Sequence, residues 1–119
     1  MATALNNFKT TLLNPVPATT TGVYTPPPGY ATVILMAQVS NNGASTIQIT
    51  AGVERLEDDG STITTALLIK EAGIPVNYSI NILTGRLILQ ENDTLQFKCS
   101  NGTDAQLVLS YLETLITGQ

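Results

Sequence analysis

The sequence predicts an all-β chain, a single antiparallel β-sandwich or jelly-roll-like domain of about seven to nine strands. Three observations lead there. Apolar and polar residues alternate at a spacing of two in several stretches, as in "TIQITAGV" at 46–53 and "LQFKC" at 95–99. Turn-forming pairs such as Asn-Gly and Asp-Gly punctuate the chain at short intervals. No strong apolar repeat falls at the 3.6-residue spacing of a helix. With 119 residues, one core can form without disulfide staples.

Taken in order, residues 1–20 form an extended N-terminal segment and 21–119 the sandwich domain. "FKTTLLNPVPATTTG" carries Pro15 and Pro17 in a Thr-rich setting without sustained alternation. Proline cannot donate to a ladder, so it suits an edge or a connector and not a central strand. A short edge strand near Leu5–Leu13 followed by a connector fits, and so does a free arm lying along a neighbouring subunit. Residues 1–20 are expected to serve contacts with other subunits and to add little to the stability of the domain.

Pro26–Gly29 turns the chain into 31–39, which is apolar on both faces, and Asn41-Asn42-Gly43 ends that run. In 46–53, Ile47, Ile49, Ala51 and Val53 share one face while Thr46, Gln48, Thr50 and Gly52 share the other. Asp58-Asp59-Gly60 joins this to a second extended run, where 66–69 is again apolar on both faces. Two-sided apolar strands are expected where both faces are covered, or where the strand meets another subunit. Breaks at Gly73-Ile74-Pro75 and Thr84-Gly85 frame "YSINI" at 78–82, with Tyr78, Ile80 and Ile82 on one side. "LQFKC" sets Leu95, Phe97 and Cys99 against Gln96 and Lys98, between turns at Glu91-Asn92-Asp93 and Asn101-Gly102. The last run, 105–112, puts Leu107, Leu109 and Tyr111 on one side, with Val108 and Leu112 partly filling the other.

Composition narrows the function. The apolar share of 43 % is ordinary, but the charged share of 12 % is half the roughly 25 % of soluble domains. Thr, Asn, Ser and Gln take its place, giving a neutral surface that is better tolerated against a partner than in free solution. The net charge is −4, and Lys9, Arg55, Lys70, Arg86 and Lys98 are scattered. No phosphate-tracking surface follows, and no nucleic-acid partner is expected. "MATALNNFKTT" has neither the basic nor the apolar part of a secretory signal. No apolar run approaches the ~18 residues that span a bilayer, so no membrane partner is expected. A single cysteine fits synthesis in a reducing cytosol.

Each candidate site has a plainer reading. The chain has no histidine, which removes Ser-His-Asp, Cys-His and His-based metal arrangements. Cys99 falls on the apolar side of its strand and reads as a small buried hydrophobe. In "ERLEDDG" at 54–60, Glu57, Asp58 and Asp59 are consecutive and lack the alternation and distant glutamate of a calcium loop. That cluster reads as a solvated hairpin tip. No two of the nine acidic residues are singled out as a glycosidase pair. Asn77, Asn92 and Asn101 match the glycosylation pattern, as an Asn- and Thr-rich composition produces without function. No catalytic residue, cofactor site or metal site is expected.

Three motifs carry a resemblance. Tyr24, Thr25, Pro26, Pro28, Gly29, Ala31 and Val33 form the first, in "VYTPPPGYATVILMAQVSN". Leu83, Gly85, Leu87, Leu89, Asp93 and Leu95 form the second, in "NILTGRLILQENDTLQF". Ser110, Tyr111, Leu112 and Glu113 form the third, in "LVLSYLETL". Together, over about residues 5–115, the chain resembles a family of small virion structural proteins of tailed bacteriophages, and looks closest to those of phages infecting cyanobacteria. One departure is "ENDT" at 91–94, where the family often has glycine before the aspartate. Asn92 can take the same left-handed conformation, so the turn is expected to survive.

The resemblance implies a β-sandwich subunit of the particle without enzymatic activity. The leading expectation is a capsid decoration, or cement, protein, made in the host cytoplasm and assembled on the virion. Its partners would be copies of itself, as a trimer, and the major capsid protein or other virion proteins. A neck, baseplate, tail or fibre-associated protein is the alternative within the virion. A carbohydrate-binding adhesion module is the alternative outside it, with Tyr24, Tyr30, Tyr78 and Tyr111 as its stacking residues.

Overall fold

A computed structural model describes residues 6–116, and these residues form nine strands and no helix. In chain order the strands are β1 (Asn6–Leu13), β2 (Thr21–Tyr24), β3 (Tyr30–Asn41), β4 (Ile47–Leu56), β5 (Ile63–Ile74), β6 (Ser79–Asn81), β7 (Leu87–Leu89), β8 (Asp93–Cys99) and β9 (Ala105–Leu115). They make two antiparallel sheets packed face to face. One has the order β1-β9-β3-β6, with β7 also pairing β3, and the other the order β2-β8-β4-β5. The chain is a single β-sandwich, as the alternation predicts.

The core is where the alternation places it. Ile47, Ile49 and Ala51 of β4, Leu95, Phe97 and Cys99 of β8, and Leu107 and Leu109 of β9 are all buried. The intervening Gln48, Lys98 and Ser100 are exposed. Full burial of a side chain such as Phe97 or Ile49 contributes roughly 1.5–3 kcal/mol, so these facing rows supply most of the folding drive. Asn92 has a φ of 73° and Gly60 a φ of 79°, so both expected tight turns use left-handed residues. The β4–β5 pair is held close at Gly52, where a β-carbon would lie 2.7 Å from the Ala66 carbonyl oxygen.

The two-sided apolar run at 31–39 has a local cause. The register of β3 on β9 shifts between Ile34 and Met36. Before this bulge Thr32 and Ile34 point inward; after it Ala37, Val39 and Asn41 do. One extra residue reverses the inward parity, so apolar residues are needed at even positions first and odd ones later. The chain's own fold leaves the outer side of this strand uncovered, and the same holds for 66–69, where Leu67 and Leu68 are exposed.

Two expectations need correction. The break expected at Gly73-Ile74-Pro75 comes later: β5 runs through Ile74, which is buried, and the turn follows at Pro75–Tyr78. Gly73 is exposed with room for a side chain, pairs with Gln48 and continues the strand. Residues 14–17 also do more than connect. Val16 is buried, its N–H donates to the Ala105 carbonyl, and the Pro17 carbonyl accepts from the Cys99 N–H. The N-terminal segment therefore contributes to the core. Upstream of it, β1 is an edge strand paired with β9 from Asn6 to Leu13. Leu5, the expected start of that strand, and the rest of residues 1–5 lie outside the described residues.

Candidate interaction face

The pairing registers define what each sheet turns outward. Phe8 of β1 lies opposite Leu112 of β9, Leu112 opposite Val33 of β3, and Val33 opposite Ile88 of β7. All four sit on outward positions and make one apolar row straight across the five-stranded sheet. Phe8 is 77 % exposed and Ile88 63 %. The neighbouring rows add Met36 beside Ser110, and Leu12, 72 % exposed, beside Val108. No Asp, Glu, Lys or Arg occupies an outward position on any strand of this sheet. Leu35, in the β3 bulge, is exposed as well, and the remaining outward residues are Asn, Gln, Ser, Thr and Ala. Charge depletion with Phe and Met enrichment marks the core of a protein–protein contact.

Of the motif residues, Val33 and Leu112 belong to this row, whereas Tyr24, Asp93, Tyr111 and Glu113 lie inside, in two polar clasps. The Tyr24 hydroxyl donates to Glu113 Oε2 at 2.6 Å and also bonds the Thr32 hydroxyl at 2.7 Å. Lys9 Nζ meets the other Glu113 oxygen at 3.0 Å. The Tyr24 and Tyr111 rings pack with centroids 4.4 Å apart, and the Tyr111 hydroxyl bonds that of Thr11. Burial, then the adjoining Glu113 carboxylate, pushes the Tyr24 phenol well above its ordinary range. The bond to Glu113 raises Lys9 in turn. Glu113 is buried with both oxygens partnered, which is the condition under which a carboxylate can be enclosed.

The second clasp joins β4 to β8. Arg55 grips the buried Asp93 through two bonds, Nε to Oδ1 at 2.6 Å and Nη2 to Oδ2 at 2.8 Å. The Gln90 N–H adds a third at 2.9 Å. The guanidinium contact holds the Asp93 carboxyl below the usual carboxylate range. Among the described residues no buried side-chain polar atom lacks a partner. Tyr24, Asp93, Tyr111 and Glu113, which carry the resemblance, are thus groups that hold the fold together. Their chemistry is spent on one another.

The other candidate sites resolve individually. Cys99 is buried. Asp59 closes its own turn: Oδ1 accepts from the N–H groups of Ser61 and Thr62, and Oδ2 from the Thr62 hydroxyl. These bonds, the hydroxyl's first, lower its pKa to about 2. Asn101 likewise accepts from the N–H groups of Thr103 and Asp104. No group of three or more Cys, Asp or Glu side chains among the described residues could hold a metal ion. The tyrosines share no platform, since Tyr24 and Tyr111 face each other inside and Tyr78 stands alone on the surface.

The apolar row escaped sequence reading because its members come from four strands. The available signal was the surplus of apolar residues on the outer sides of 31–39 and 105–112. Comparison with known proteins adds no identity: no family model matches the chain, and no curated protein matches it.

Proposed function

We propose that this chain is a non-enzymatic structural subunit of a phage virion, a decoration protein that binds the head shell through the outer face of its five-stranded sheet. The carrying observation is that face: an apolar row from Phe8 to Ile88 on a sheet without an outward charge. Apolar and uncharged polar groups can be buried against a partner without the desolvation cost that full charges incur. Support also comes from the closed polar clasps, which leave the described buried polar groups without free valence for chemistry, and from the three-motif resemblance. The dispersed tyrosines weigh against a carbohydrate-binding module.

Counting copies in purified particles tests the reading. Hundreds of copies per particle, released from intact heads by denaturant, are the expected result. A dozen or fewer would assign the protein to the tail, neck or baseplate, and absence from particles would overturn the proposal.

A further inference from the structure

Among the described residues the two sheets have four edges, and three of them are short or irregular. An open edge presents unpaired N–H and C=O groups to any other strand, and proteins block this with short strands, prolines, bulges or inward charges. β2 has four residues, shifts its register on β8 and runs into Pro26–Pro28. β6 and β7, which share the far edge of β3, have three residues each. β5 is long, but its register on β4 shifts twice between Leu67 and Ala72, and Glu71 kinks it with a φ of 51°.

β1 is the regular edge. Its register on β9 runs unbroken from Asn6 to Leu13, a stretch without proline or glycine. Side-chain bonds fix it to β9: Thr114 donates to Asn6, Thr11 bonds the Tyr111 hydroxyl, and Lys9 meets Glu113. Lys9 is its one charge. An inward lysine guards an edge because pairing would bury it without a partner, and here Glu113 of the adjoining strand already supplies that partner. On the outward side Asn6, Phe8, Thr10 and Leu12 are all exposed. Phe8 and Leu12 are the two most exposed large apolar side chains among the described residues.

We infer that the β1 edge pairs antiparallel with the β1 edge of a second copy across a twofold axis at Thr10, joining two five-stranded sheets into one continuous sheet. Symmetry and charge select this register. A twofold axis normal to the sheet keeps outward residues opposite outward residues, so the numbers of facing residues sum to an even value. The two longest such registers within Asn6–Leu13 are centred on Lys9 and on Thr10. The first sets the two lysines against each other. The second sets Phe8 opposite the second copy's Leu12, and Leu12 opposite its Phe8, while Lys9 faces its Thr11. The β-carbons of such facing residues lie about 5 Å apart, so each pair shields its apolar surface from water. A second copy is the occupant because it completes the row on its own pattern. Ile88, Val33, Leu112 and Phe8 of one copy continue into Leu12 and Val108 of the other, and the twofold repeats the row in reverse. The paired stretch is about 24 Å long and carries about six to eight backbone hydrogen bonds. Each copy uses its one regular edge, so the association closes at two.

This inference does not depend on the virion reading, and its test reads only the isolated protein. Sedimentation equilibrium of the full chain is expected to show a reversible dimer. Thr10→Lys, which sets two charges against each other on the axis, abolishes it. Phe8→Glu weakens it about tenfold, and Phe8→Glu combined with Leu12→Lys restores it, because the two positions face each other across the axis. Ile88→Asp, at the far end of the row, leaves it intact, with circular dichroism unchanged throughout. A protein that stays monomeric at millimolar concentration overturns the inference. So does a dimer that is indifferent to Thr10→Lys, one that Ile88→Asp dissolves, or one in which Leu12→Lys fails to restore what Phe8→Glu removed.

Discussion

The two outer faces of the sandwich are built by the same alternation and finished in opposite ways. On the four-stranded sheet, β4 and β8 turn out Gln48, Thr50, Glu54, Thr94, Gln96 and Lys98, a water-facing set with both signs of charge. On the five-stranded sheet, the equivalent positions hold Phe8, Leu12, Val33, Met36, Val108 and Leu112, with no charge among them. Across β4 and β8 the four-stranded face is finished for water, and its apolar exposure gathers at the β5 edge, at Ile63, Leu67 and Leu68. The other keeps apolar area that the chain's own fold does not cover. The chain's scarce charge is therefore not thinned evenly; it is withheld from one side. A uniformly neutral surface would concern solubility alone, whereas one apolar face beside one polar face implies a direction of attachment.

That comparison can be broken most forcefully on a single strand. Leu109 and Leu112 both lie on β9, the first pointing into the core and the second outward. Leu109→Ala is expected to cost about 2–5 kcal/mol through lost contacts and a cavity. Leu112→Ala should cost about 1 kcal/mol or less, since its area is only partly removed from water. Urea unfolding of both variants checks this, and equal losses would mean that the outer row is already part of the fold's own core.

The next largest effect concerns attachment. Phe8→Asp with Ile88→Asp puts charge at both ends of the apolar row and, on the proposed decoration role, should weaken binding to heads by about 2–4 kcal/mol, the scale of interface hot spots. Gln48→Lys with Gln96→Lys on the polar face should leave binding within a factor of two. Titration of depleted heads with each variant separates the two faces, and equal loss from both pairs would remove the distinction.

The smallest effect sharpens the comparison on the polar side, by testing the carboxylates that hold the four-stranded sheet and its β4–β5 turn. The Asp93 carboxyl is held below its ordinary pKa by Arg55, and Asp59 is lowered to about 2 by its turn. Groups with a depressed folded pKa stabilise fully above the unfolded value near 4, and lose that contribution as pH falls through the folded value. The melting temperature should therefore be flat from pH 7 to about 5 and decline between about 4 and 2. Asp93→Asn should cost about 1–3 kcal/mol at neutral pH and flatten part of the acid decline, leaving the part due to Asp59.

Much of this molecule was legible in its sequence. Period-two spacing determined the all-β class and the inward rows of β4, β8 and β9. It also placed Cys99 in the core and the acidic residues 57–59 at a hairpin tip. Turn chemistry determined that Asn92 would be left-handed. These are properties of a strand and its own residues, set by the backbone geometry that sends successive side chains to opposite sides.

The bulge in β3, the full length of β5, the Tyr24–Glu113 and Arg55–Asp93 clasps, and the Phe8–Leu112–Val33–Ile88 row were decided only by tertiary structure. Each depends on which strands become neighbours and in what register. Tyr24 and Glu113 are 89 residues apart, and nothing in the stretch around either specifies the other. Alternation tells each strand which side is in. Only the assembled sheets, pairing strands so that the whole core is filled at once, decide what stands beside what on the outside.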